Sequence, residues 1–158
     1  SGLSKSFGLP GLRIGWVAGP RGVAEMSWFY HDFLSTSVTT FSDYLATKAL
    51  EPDMREKIFA RNREIVRQNL ATFTEWVDSH HGVLSFTPPA AGCFAFVKYD
   101  LPVPSWDLVM DMVENNSVFV IPGSSFGIEN HLRMNFGVDR PRLKEGLKRI
   151  DRTLSKYL

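Results

Sequence analysis

Residues 53–79 constrain this chain more than any other segment. Ile58, Ile65, Val66, Leu70, Phe73 and Val77 recur at helical spacing, while Arg55, Lys57, Arg61, Arg63, Glu64 and Arg67 take the other face. Pro52 opens the segment and Gly82 closes it, as helix punctuation requires. A helix this long bridges two lobes, each half packing on a different core. It therefore divides the chain into a piece before it and a piece after it.

The piece after it alternates short strands and helices. Residues 83–86 and 93–99 read as strands separated by a Pro-Pro turn, and 105–114 as an amphipathic helix. Residues 117–121 read as a strand stopped by Pro122-Gly123, and 132–136 as another. Residues 142–157 read as a final helix with Leu143, Leu147, Ile150 and Leu154 on one face. That order predicts a two-layer α/β unit over 82–158. In the piece before the long helix, 12–18 (LRIGWVA) reads as a buried strand between glycines. Helices are predicted over 21–34 and 40–50, the second capped by Thr39 or Thr40. One strand and two helices cannot cover a strand that is apolar on both faces, because parallel-type strands need neighbours on both sides. The expected fold class is therefore α/β in three parts. Residues 1–51 would be the end of a larger domain's sheet, 52–81 a connecting helix, and 82–158 a small two-layer α/β domain.

Composition supplies bounds. The chain has 158 residues, 44% hydrophobic and 22% charged, with 12 Phe and 4 Trp, enough apolar material for a core. A formal net charge of +1 argues against a nucleic-acid or membrane surface. Cys93 is the single cysteine, so an internal disulfide is impossible and a reducing, cytoplasmic compartment is expected. No apolar run approaches the roughly 18 residues of a membrane span, and no signal peptide is visible.

The chemistry is concentrated in 1–16, SGLSKSFGLPGLRIGW. Lys5 stands among small and hydroxyl residues. Arg13 follows eight positions later at the start of an apolar run, and Gly8, Gly11 and Gly15 let the backbone turn and approach a ligand. An arginine beside a buried strand needs an anion, and its planar fork suits phosphate. A lysine in a water-poor pocket is a nucleophile for carbonyls. The pair matches a cofactor with both an aldehyde and a phosphate, namely pyridoxal 5′-phosphate. On spacing alone the competing reading is an ordinary surface lysine. The glycines lack the G-K-[ST] of a Walker loop.

The stretch 2–15, GLSKSFGLPGLRIG, resembles the lysine signature of the class I/II aminotransferases, the fold type I pyridoxal-phosphate enzymes. The resemblance implies that Lys5 forms the internal aldimine, that Arg13 grips the cofactor phosphate, and that Ser4 is a second phosphate contact. Many relatives place Ser or Thr three positions before the lysine, where this chain has Gly2. A second stretch, 120–137 (VIPGSSFGIENHLRMNFG), resembles the family's landmark in which a Pro-Gly loop leads into a strand carrying the arginine for the substrate α-carboxylate. Arg133 takes that place. On 131–136 the side chains of Leu132, Met134 and Phe136 should point one way and His131, Arg133 and Asn135 the other. Residues 88–97 (PPAAGCFAFV) fall where relatives carry a strand bordering the substrate pocket.

The resemblance implies amino-group transfer between an amino acid and a 2-keto acid, in a cytoplasmic enzyme that is a homodimer at full length. Neither nucleic acid nor membrane is an expected partner. It also implies that this chain is the C-terminal part of such an enzyme, starting just before its lysine and inactive alone. The groups that relatives place upstream to hold the cofactor ring would then lie elsewhere. Two other readings share the lysine motif. One is a lyase, an aminocyclopropane-carboxylate-type synthase or a capreomycidine-synthase-like cyclase. The other is the effector domain of an aminotransferase-like transcription regulator. The four histidines, His31, His80, His81 and His131, form no helical metal pair, and no metal is expected. His80-His81 ends the long helix, where capping is the simpler role.

Overall fold

The computed structural model describes residues 1–158. In chain order its helices are α1 (Arg21–Leu34), α2 (Thr40–Leu50), α3 (Pro52–Ser79), α4 (Ser105–Asn116) and α5 (Arg140–Leu154). Its strands are β1 (Leu84–Ser85), β2 (Phe94–Tyr99), β3 (Ile121–Pro122) and β4 (His131–Asn135), and 3-10 turns cover Pro10–Leu12 and Gly123–Phe126. The chain divides into two units, Ser1–Arg63 and Glu64–Leu158, so the division falls inside α3.

In the unit Glu64–Leu158 the four strands form one antiparallel sheet in the order β1-β2-β4-β3. Alternation sorts its two faces. Ala95, Val97 and Tyr99 of β2 and Leu132, Met134 and Phe136 of the β4 segment are buried. They share a core with Phe73 and Val77 of α3, Leu108 and Met112 of α4, and Leu143, Leu147, Ile150 and Leu154 of α5. This is the expected two-layer α/β arrangement. The opposite face of the sheet carries Phe94, Phe96 and Lys98 of β2 beside His131, Arg133 and Asn135 of β4. Asn69 of α3 is also buried, and its amide donates to the carbonyls of Phe136 at 2.8 Å and Val138 at 2.6 Å. Those groups leave the sheet just past β4 and have no strand partner.

The strand expected over 83–86 is shortened to Leu84–Ser85, and two further elements differ from expectation. The strand expected over 117–121 is reduced to Ile121–Pro122, because Ser117 adopts φ +51° and closes α4. The N–H of Val118 then bonds the carbonyl of Met112, so this stretch caps a helix instead of joining the ladder. The last helix begins at Arg140, two residues early. Asp139 caps it by accepting from the N–H of Arg142, and Pro141 fits the first turn, where its missing N–H is not needed.

In the unit Ser1–Arg63 a small core joins Leu3 and Phe7 to Ala46 and Ala49 of α2, with Ile58 and Phe59 of α3 against it. Helices α1 and α2 have the expected bounds. The strand expected over 12–18 is corrected. Residues 10–12 form a 3-10 turn, only Gly15 makes a bridge (to Gly2), and Val17 is exposed. The run LRIGWVA needs paired neighbours on both sides to be a buried strand, and within this chain it has one, the segment 1–3. Likewise α1 buries none of its side chains, although Trp28, Phe29, Phe33 and Leu34 are all on it.

Candidate functional site

The lysine loop is closed at its base by two glycines. Gly2 and Gly15 form an antiparallel bridge, flanked by the bonds Leu3 N to Ile14 O at 3.0 Å and Trp16 N to Ser1 O at 2.8 Å. A Cβ on Gly15 would lie 2.9 Å from the Ser1 carbonyl oxygen, and one on Gly2 3.0 Å from that of Ile14. Any larger residue forces the two segments apart.

Inside that closure the main chain is tied on both sides of the lysine. Gly8 N donates to Lys5 O at 2.9 Å, Leu9 N to Leu3 O at 3.0 Å, and the Asn62 amide of α3 to Ser6 O at 2.9 Å. Leu3 and Phe7 are the buried anchors, and the ring of Phe7 lies 4.8 Å from that of Phe59. Lys5, midway between the anchors, is exposed and its side-chain amine has no hydrogen bond or ion pair in this chain, and Ser4 is half-buried with a free hydroxyl. Arg13 sits at φ +54°, a left-handed conformation uncommon outside glycine. Its guanidinium meets only the Pro10 carbonyl, at 3.1 Å, and no acid. The loop thus carries an amine, a hydroxyl and a guanidinium, none of them neutralised. That donor set suits an aldehyde together with a phosphate, so the residues present fit pyridoxal phosphate.

Arg133 belongs to the other unit. Its neighbours Leu132 and Met134 are buried, and Arg133 itself is half-buried on the opposite face of β4, as the alternation predicts. Its Cζ lies 3.9 Å from the Phe94 ring centroid and 5.9 Å from that of Phe126. No carboxylate, hydroxyl or carbonyl bonds it. Phe126 reaches this face because the chain folds tightly after β3. A Cβ on Gly123 would meet the Ile128 carbonyl oxygen at 2.2 Å, which explains the glycine of the Pro-Gly pair. His131, two residues from Arg133, stacks on Phe96 at 5.0 Å, and its Nδ1 donates to the Glu129 carbonyl at 2.7 Å.

Asn62, Phe94 and Phe126 were not singled out from the sequence. For Phe94 the sequence carries a signal: FAFV in β2 is apolar on both faces, so one apolar face needs a purpose other than the core. For Asn62 and Phe126 there is none. The histidines gather into no metal-ligating group. His80 caps the end of α3, with Nδ1 2.9 Å from the Trp76 carbonyl and Nε2 3.3 Å from Asp151. No helix is long and apolar enough to cross a membrane.

Residues 1–150 match the sequence profile of the family described as "Aminotransferase class I and II". The chain belongs to that family. Capreomycidine synthase of Streptomyces vinaceus is 28% identical to this aminotransferase-family chain over 155 residues, covering 98% of the chain and 39% of the relative. An aspartate aminotransferase of Streptomyces avermitilis is 25% identical over 166 residues, covering 99% of the chain and 40% of the relative. The solved structure of a PLP-dependent aminotransferase from Streptococcus suis superposes with a TM-score of 0.90 at 30% identity, covering 99% of the chain and 41% of that structure. The chain spans about two fifths of the length of the curated relatives it matches. The family is pyridoxal-phosphate-dependent.

Proposed function

We propose that this chain provides the lysine and two arginines of a pyridoxal-phosphate enzyme that moves an amino group between an amino acid and a 2-keto acid. The observation that carries the reading is the closed loop 2–15, with the amine of Lys5, the hydroxyl of Ser4 and the guanidinium of Arg13 all without anionic partners in the chain. In this reading Lys5 would hold the cofactor at its aldehyde end, and Arg13 and Ser4 would hold its phosphate. Arg133 presents a two-pronged donor edge to the substrate carboxylate, which fixes the Cα–H bond in one orientation. The Lys5 amine, when free, would be the base that accepts the Cα proton. When bound, the cofactor supplies an electron sink for the pair left by that proton.

The same reading makes the full-length enzyme a cytoplasmic homodimer, on the family resemblance and the single cysteine. Residues 1–51 are then the end of its large domain, 52–81 the connecting helix and 82–158 the small domain. The test is substitution in the full-length protein. Lys5→Ala should abolish the cofactor's lysine-bound absorbance, Arg13→Ala should weaken cofactor binding, and Arg133→Ala should raise KM for the amino acid. Retention of colour and activity by Lys5→Ala would overturn the reading.

A second reading, cyclisation of the bound amino acid, is favoured by the 28% identity to capreomycidine synthase. Product analysis separates the two: a keto acid is released in the first and a cyclic amino acid in the second.

A further inference from the structure

Arg133 is half-buried, and its guanidinium makes no ion pair and no hydrogen bond within the chain. A charge partly withdrawn from water is ordinarily matched by an acid or by several acceptors. Here the matching groups are aromatic faces, Phe94 at 3.9 Å and Phe126 at 5.9 Å. Both distances fall within the range at which a guanidinium is attracted to a ring face.

Neither ring is there to fill the core. Phe94 is 40% exposed and Phe126 51% exposed, on the sheet face opposite the helices. Their positions are set by the backbone. Phe94 pairs with Asn135 across the β2–β4 ladder, which makes it the diagonal neighbour of Arg133. Phe126 ends the 3-10 turn that Gly123 alone permits, and it packs edge-on against Phe96 at 5.9 Å and 84°. Phe96 in turn is clamped by the His131 stack, 18° from parallel.

Resting on the substrate reading of Arg133 given above, we infer that Phe94, and more weakly Phe126, are positioning residues that hold the Arg133 guanidinium ready for a carboxylate. The physics separates the two directions of the group. A ring engages the flat face of a guanidinium, whereas its five N–H donors lie at the rim, in the plane, where a carboxylate binds. Holding the plane in advance removes the rotamer entropy that a free arginine loses on binding. An acid in the same place would occupy the rim and compete with the substrate. The rings keep the cation in place and leave its donors free.

The test uses the full-length, cofactor-loaded protein. Binding is read from the cofactor absorbance change, with whichever of the twenty proteinogenic amino acids gives the largest change in the unsubstituted protein. Phe94→Leu keeps apolar bulk and removes the π face. It should raise the dissociation constant about five-fold, the size of a partly desolvated cation–π contact, and should raise KM more than it lowers kcat. Phe94→Tyr should restore binding, and phenylalanines of increasing fluorine content at position 94 should weaken it stepwise. A readout independent of activity is the Arg133 Nε–H resonance, whose ring-current shift should vanish in Phe94→Leu and persist in Phe94→Tyr. If Arg133→Ala weakens binding while Phe94→Leu and Phe126→Leu do not, the positioning role is wrong and the substrate reading stands. If Phe94→Leu and Phe94→Tyr weaken binding equally with a lowered melting temperature, packing explains the site and the inference is again overturned. If Arg133→Ala binds normally, the substrate reading itself falls.

Discussion

The side-chain amide of Asn62 donates to the main-chain carbonyl of Ser6 at 2.9 Å, so helix α3 grips the residue next to Lys5. The orientation of that amide is fixed from its other end, where the Arg61 guanidinium donates to Asn62 Oδ1 at 3.0 Å and 3.2 Å. Asn62→Ala removes one such bond at a solvent-accessible site, worth about 1 kcal/mol. We expect a correspondingly small drop in the urea midpoint together with weaker pyridoxal-phosphate binding by the full-length protein. Asn62→Asp, which has no donor to offer Ser6, should bind no better. Unchanged cofactor affinity in both variants would show that the Lys5 loop holds its shape without α3.

The two glycines that close the loop are not equivalent to a third within it. Gly15→Ala places a Cβ 2.9 Å from a carbonyl oxygen, whereas a Cβ at Gly11 meets nothing within 4 Å. Gly15→Ala should destabilise the protein by about 1–3 kcal/mol, the usual size of an overpacking defect. Gly11→Ala should stay within about 0.5 kcal/mol. Denaturant titration of both variants tests the contrast, and equal losses would refute the closure argument.

Asn69 is buried and serves two carbonyls that follow the Arg133 strand. Asn69→Ala leaves both without their donor, a loss of about 2–3 kcal/mol. Asn69→Asp is expected to be worse, since it sets a carboxylate against two oxygens. Chemical denaturation at neutral pH and again at low pH, where the aspartate is protonated and regains a donor, should bring the two variants closer together.

Asp111 links α4 to the end of the chain. Its carboxylate accepts from Lys156 Nζ at 2.7 Å and from Tyr157 Oη at 2.9 Å. The Lys156 hydrogen bond, aided by Asn115 and Tyr157, holds the Asp111 carboxyl below its ordinary range despite partial burial. A depressed folded-state value contributes stability above the unfolded value of about 3.9, and that contribution is lost as pH falls through the folded value. Asp111→Asn should therefore lower the denaturation midpoint at pH 7 and flatten its fall on the acid side of about pH 4. Parallel acid limbs would assign the acid sensitivity elsewhere.

At the alkaline end, Tyr99 donates its hydroxyl to the Val103 carbonyl at 2.8 Å. Burial, with Glu129 and Asp107 nearby, pushes the Tyr99 phenol up to about 12. The folded value is raised, so its stabilisation is complete below the ordinary tyrosine value of about 10 and is lost as pH climbs through the folded one. Tyr99→Phe should be less stable at pH 7 yet lose less between about pH 10 and 12. A phenolate absorbance titration checks the assignment.

Much of this was legible in the sequence because the signals were local. Pro20 and Pro52 mark helix starts, and α1 and α2 have the bounds expected from their punctuation, Pro20 before the first and Thr39 or Thr40 at the start of the second. The alternation around Arg133 told which way it faces, since a period of two survives any tertiary arrangement. The segment 12–18 misled, because apolar residues between glycines describe what a strand requires and not whether its partners are supplied. Asn62 and Asn69 were unreadable for a related reason. Each acts on a carbonyl far away in sequence, 56 residues from Ser6 in one case and 67 from Phe136 in the other, and an asparagine on a helix carries no mark of that. Ser117 was missed because a left-handed non-glycine residue has no reliable sequence sign.

Helix α1 has colloidal consequences. With no buried side chain and with Phe33 and Leu34 among its most exposed groups, it presents an adhesive apolar stripe to water. We expect this stripe to promote self-association of the chain in isolation. Light scattering should rise with concentration and with added ammonium sulfate, and charged substitutions along α1 should lower it without altering the core of either unit.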